Sequence, residues 1–165
     1  MFDKKYDHQN IEKKWQKEWY NSNIYYWNEN IPRDESFVID TPPPTVSGIL
    51  HMGHIFSYTQ TDFIARYQRM LGKNVFYPIG FDDNGLPTER LVEKIHKLKA
   101  NSIPKKDFKK LCHQVIDEAE LEFKDLFCGI ALSVDWRQKY QTISPTTTTL
   151  SQMSFLDLYH KNEAY

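Results

Sequence analysis

Cysteine is scarce: Cys112 and Cys128 are the only two among 165 residues, and they do not form a CxxC pair. Two thiols make no disulfide framework, so the sequence predicts unpaired thiols in a reducing compartment. An excess of one charge is also missing, because 21 basic against 22 acidic residues leave a formal net charge of −1. No global positive field therefore draws the chain onto nucleic acid, and any service to RNA needs a local contact or another part of a larger protein. No run approaches the roughly 18 apolar residues of a membrane span. Met1 to Tyr6 lead into no apolar core or small-residue cleavage site, so no secretory leader is predicted. The expectation is a soluble, cytoplasmic protein without a membrane partner. Neither the lysine-bearing P-loop pattern nor Gly-x-Gly-x-x-Gly occurs, and no internal repeat is visible. The threonine run 146–149 reads as a solvated lead-in to a helix.

What is present suits one packed domain. Hydrophobic residues make up 40%, and ten Tyr, ten Phe and four Trp argue against disorder. Ile11, Trp15 and Trp19 recur at helical spacing and predict a helix over 8–20. The cluster Tyr25, Tyr26 and Trp27 reads as packing. Phe37 to Thr41 reads as a short buried strand halted by Pro42, Pro43 and Pro44. A helix is predicted from about Gly53 to Leu71, closed by Gly72, and a second strand over 74–79. Strand, helix and strand within about 45 residues form a βαβ unit, hence a parallel sheet. Further helices are predicted over 87–99, 105–127 and 149–160, with a strand or turn within 133–142. The fold class expected is α/β: the first half of a Rossmann-like parallel-sheet nucleotide-binding domain, preceded by an N-terminal helix. The predicted division is an N-terminal helical extension, 1–35, and a partial catalytic domain, 36–165.

Two stretches carry chemistry. Pro42 to His54 follows the first strand and opens the first helix of the βαβ unit, where ligands of open α/β sheets gather. A helix N-terminus offers free N–H groups and partial positive charge, which favours phosphate. Gly53 lets a base or phosphate approach the backbone, and His51 and His54 reach one ligand from a single turn. Read alone, His-x-x-His on a helix is more often structural or surface decoration than a site. His51, His54, Asp82 and Asp83 could also converge on a metal, but the proline-rich entry and the lack of a nearby cysteine argue against a cage. No metal site is predicted. The second stretch, Gly80 to Glu89, follows the second strand and should share the same sheet edge. A buried carboxylate there can hold an amine by charge-assisted hydrogen bonds, although Asp-Asp-Asn-Gly alone also suits a plain turn.

The string from Pro42 to Phe56, with His51-Met52-Gly53-His54 inside it, resembles the HIGH region of class I aminoacyl-tRNA synthetases. The three prolines with Thr45-Val46-Ser47-Gly48 look like the valyl branch, as do Tyr58 to Asp62, Phe81 to Arg90 and Val134-Asp135-Trp136. The resemblance implies that His51 and His54 are catalytic, that His51, Gly53 and His54 bind ATP, and that Pro43, Thr45 and Asp82 bind the amino acid. Asp82 would hold the α-amino group. The implied reaction joins valine to ATP, with Mg2+ accompanying the nucleotide, and then transfers the valyl group to tRNA(Val). Thr45 stands where many relatives carry Asn, Phe81 where Trp is frequent, and Thr146 where Arg is common. Lys-Met-Ser-Lys-Ser, the family's other phosphate-binding loop, does not occur in the 165 residues. The expectation is thus the N-terminal part of a valine–tRNA ligase, inactive as an isolated chain and open to a complementary fragment. The alternative is a non-catalytic split or truncated product that binds at most a nucleotide or partner polypeptide.

Overall fold

A computed structural model describes residues 6–164. Helix α1 (His8–Ser22) is capped by Asp7, whose side chain accepts the Asn10 N–H, and ends at Asn23 in the left-handed region. It buries no residue, so Trp15 and Trp19 stack on each other at the surface. The next aromatics do pack. Trp27 meets the edge of Phe76 at 5.0 Å, Tyr26 lies 3.7 Å from the Arg137 guanidinium, and Tyr25 faces Arg69 at 5.0 Å.

Strand β1 (Ser36–Val38) pairs in parallel with β2 (Asn74–Phe76), in the register Phe37 to Val75. The helix between them is α2 (Met52–Met70). It closes as the sequence predicts: Gly72, at φ +80°, donates to Arg69 O, and Lys73 donates to Gln68 O. Glycine takes that left-handed conformation without a Cβ penalty.

The strands are shorter than the apolar runs suggest, because proline interrupts the ladders. Pro78 has no N–H to donate, so the second run resumes as β3 (Gly80–Phe81), paired in parallel with β4 (Tyr140–Gln141). The stretch 74–82 is therefore central. On one side Ile39 N donates to Phe76 O and Val46 N to Asp82 O; on the other, Asp135 N donates to Tyr77 O and Thr142 N to Phe81 O.

Helices α3 (Leu86–His96) and α4 (Lys105–Gly129) form a corner joined by the short turn Ala100–Ser102. Helix α3 stops three residues before the predicted end, since Lys97 adopts a left-handed φ of 52°. The main core lies between α2, the central stretch and α4, with Ala65, Tyr77, Phe81 and Phe127 essentially sealed from solvent. A smaller core of Val92, Phe108 and Val115 fixes the corner. Cys112 and Cys128 are free and half-buried.

Helix α5 (Pro145–His160) starts four residues earlier than its apolar pattern implies. Ser144 accepts the Thr147 N–H and Pro145 occupies the first turn, a favoured start that admits the threonine run into the helix. The expected solvated lead-in is instead helical. Leu150, Met153, Phe155, Leu156 and Leu158 all remain exposed along α5. No helix among the described residues is long and apolar enough to cross a membrane.

Candidate functional site

The proline stretch and the acidic turn are stitched together by backbone. Asp82 N donates to Pro44 O at 2.9 Å, and Val46 N donates back to Asp82 O at 3.3 Å, so Thr45 and Asp82 form a parallel bridge. Tyr58 fixes the same loop from α2, donating its hydroxyl to Pro42 O at 2.7 Å. Burial, reinforced by Tyr140, pushes the Tyr58 hydroxyl up to about 12, which keeps it a donor at neutral pH.

The two histidines cap α2 reciprocally. His51 is the N-cap, and its Nδ1 accepts the Gly53 N–H at 3.1 Å; His54 Nδ1 accepts the His51 N–H at 3.3 Å. Their rings lie 4.1 Å apart. With Nδ1 accepting, each neutral imidazole carries its proton on Nε2, so both present a donor outward. Burial, and then the neighbouring His51, lower the His54 pKa, which favours this uncharged donor form. Gly53 is needed sterically: a Cβ there would sit 2.9 Å from His51 Cε1 and displace the ring.

His51, Gly53, His54, Pro43 and Thr45 line one open cleft of about 430 Å³. Asp82 does not line it. It stands behind Thr45, whose hydroxyl donates to Asp82 Oδ2 at 3.4 Å, and it also accepts from Thr142 Oγ1 at 3.3 Å. Asp82 is half-buried and partnered; the sealed carboxylate of the pair is Asp83, 2% exposed. Strand alternation gives the reason, because Asp83 shares the inward face of Phe81 while Asp82 points the other way. Among the described residues no group of three or more His, Cys, Asp and Glu side chains is placed to hold one metal ion.

Asp83 escaped the sequence reading as a distinct group. Its carboxylate has no hydrogen-bond partner among the described residues, and it borders a second cavity of about 370 Å³ with Thr88 and Glu89. Burial, with the nearby Glu120 carboxylate, raises its pKa to about 7. The folded chain therefore holds a proton that the unfolded chain releases near pH 4. Stability falls as pH rises from about 4 to about 7 and then levels off. In Asp83→Asn this loss is absent. The variant is expected to gain on the wild type through that window and to exceed it by roughly 1–3 kcal/mol at pH 8, the cost of holding a buried, unpartnered carboxylate in its charged form. Urea denaturation at pH 5 and pH 8 reads the difference; equal stability at both values would refute it. Thr142 was also missed, since it reaches Asp82 and the Asp83 N–H from the turn just after β4, 60 and 59 residues away.

The family described as tRNA synthetases class I (I, L, M and V) matches residues 14–165. The valine–tRNA ligase of Rickettsia rickettsii (strain Sheila Smith) is 58% identical over 164 residues, which is 99% of this chain and 20% of that protein. The same enzyme of Rickettsia prowazekii (strain Madrid E) is 59% identical over the same shares. In three dimensions the chain is similar to LeuRS in the crystal structure of the ternary complex of Agrobacterium radiobacter K84 agnB2 LeuRS-tRNA-LeuAMS. The TM-score is 0.76 at 30% identity, covering 96% of this chain and 18% of that one. The chain thus spans about a fifth of the length of the curated relatives it matches.

Proposed function

The chain belongs to the class I tRNA synthetases, and from that membership we propose that it forms the ATP- and valine-handling half of a valine–tRNA ligase site. The observation that carries this reading is the shared cleft, in which the His51–Gly53–His54 cap faces Pro43 and Thr45. In the proposed reaction a valine carboxylate oxygen attacks the α-phosphorus of ATP. The new P–O bond gives valyl-adenylate, and the bond to the β-phosphate breaks with its electrons leaving on pyrophosphate. Charge grows on the α-phosphate during attack, and donors already aimed at it lower the barrier. His51 and His54 supply Nε2–H donors there, and Gly53 lets the nucleotide approach the helix start.

Pro43 and Thr45 line the amino-acid side. Asp82, held by Thr45 and Thr142, accepts from the α-ammonium group once that group reaches past Thr45. Mg2+ accompanies the phosphates, and neutral N–H donors are not its ligands. Residues 1–35 serve as a helical extension and 36–165 as the first part of the catalytic domain. The apolar side chains exposed along α5 suit coverage by further polypeptide, and tRNA(Val), to which the valyl group passes, is held chiefly by regions outside this chain. The setting proposed is the cytoplasm.

The test grafts this chain in place of the matching residues of the Rickettsia rickettsii enzyme and measures amino-acid-dependent ATP–pyrophosphate exchange. Valine should support exchange, with isoleucine far behind. A folded, soluble graft that exchanges with no amino acid would leave the motifs without a catalytic role.

A further inference from the structure

The charge of this chain is near balance only as a whole. Between residues 94 and 110 lie seven lysines and a single acidic residue, Asp107. Against a total of −1, the remainder of the chain is strongly acidic. All seven lysines are exposed, and they occupy the corner where α3 ends and α4 begins. Lys99 pairs with Glu93 and Lys110 with Asp107; Lys94, Lys97, Lys105, Lys106 and Lys109 have no carboxylate within ion-pair distance among the described residues.

An ordinary solvated face intersperses both signs, so one-sided charge on a fixed support calls for another account. The support is fixed: Glu93 accepts from Ala100 N, Arg90 and Lys99, and the Val92–Phe108–Val115 core lies beneath. Pro104 caps α4 without a side-chain hydrogen bond, which adds free N–H groups at the lysine-rich end.

We propose that the α3–α4 lysine corner is a docking surface for the phosphate backbone of an RNA whose end enters the candidate site. This rests on the aminoacylation reading above. Helix α3 starts directly after the Asp82–Gly85 turn, and its 11 residues carry the corner roughly 16 Å away. A duplex with its terminus at the cleft has backbone at that range.

The test measures fluorescence anisotropy of a labelled RNA hairpin with a single-stranded 3′ overhang against the 165-residue chain, over a range of salt. In one variant Lys94, Lys97 and Lys106 are changed to Gln; Lys105 and Lys109, which border the Asp83 cavity, stay intact. A control changes the exposed Lys13, Lys14 and Lys17 of α1 to Gln, removing equal charge. The corner variant should bind at least about tenfold more weakly at low salt, with the slope of log K against log salt shallower by about 2 to 3. The control should match the wild type. Equal weakening in both, no RNA binding, or preference for phosphatidylserine vesicles that RNA does not displace would each overturn the assignment. Pyrophosphate exchange by the grafted enzyme needs no RNA. Its absence in the unmutated graft strikes the valine reading, whereas its presence with a failed RNA arm removes only the surface.

Discussion

Asp135→Ala should destabilise the chain by about 3 kcal/mol, the largest loss expected from any single polar truncation in the structure. The Asp135 carboxylate is sealed from solvent and accepts four hydrogen bonds: Trp27 N at 3.0 Å, and Arg137 N, Nε and Nη2 at 3.1, 3.0 and 2.6 Å. Burial opposes its ionisation, but the Arg137 side chain and the two backbone donors outweigh burial and hold the carboxyl below its ordinary range. Alanine leaves Trp27 N without its acceptor and removes one of the ties between the N-terminal segment and the sheet. Arg137 is partly exposed and can return to water, which keeps the cost near the low end for a broken buried pair. The pH sign follows from the lowered pKa. The unfolded chain binds the proton more tightly, so this stability is present above about pH 4 and is lost as pH falls through the folded value. Urea denaturation followed by tryptophan fluorescence should show a large gap at pH 7 that narrows toward pH 3. A gap below about 1 kcal/mol at pH 7 would mean the network is ornamental.

The local order of this fold was legible because local signals agree with it. Gly72 ends α2 and the Ile11–Trp15–Trp19 spacing makes α1, each decided within a few residues. The parallel pairing of β1 with β2 was legible too, since a helix-length crossover permits little else. Strand lengths were not, because they depend on which partner meets each N–H. Pro78 splits one apolar run between two ladders, and nothing near it reveals that Asp135 and Tyr140 wait on the other side. At the candidate site, the types and order of His51, Gly53 and His54 are readable, but their reciprocal cap is a property of the folded helix start. That Asp83, and not Asp82, is the sealed carboxylate was within reach of the strand period, with Phe81 as the inward marker. Thr142 gave no signal, since its place is set by a strand pairing some 60 residues away.

In the grafted enzyme, His54→Ala should lower valine-dependent pyrophosphate exchange by about 100-fold, or roughly 3 kcal/mol, the loss typical of one donor to developing charge. The effect should fall on kcat, with the KM for ATP little changed, because the bond strengthens as charge builds on the α-phosphate. A structural cost has to be separated from this. His54 Nδ1 accepts the His51 N–H, so alanine also removes half of the α2 cap, worth about 1 kcal/mol of stability. His54→Asn distinguishes the two. Its carbonyl oxygen can accept the His51 N–H while its amide donates outward, so it restores the cap and part of the donation. Alanine should then be slow and slightly unstable, and asparagine should have wild-type stability with intermediate exchange. If asparagine restores stability and both variants exchange at the wild-type rate, His54 is a helix cap and nothing more. If both are slow by the same factor despite restored stability, the imidazole Nε2–H itself is required. The lowered His54 pKa adds a further check. Any loss of exchange from protonation of this ring should set in at lower pH than for an ordinary histidine.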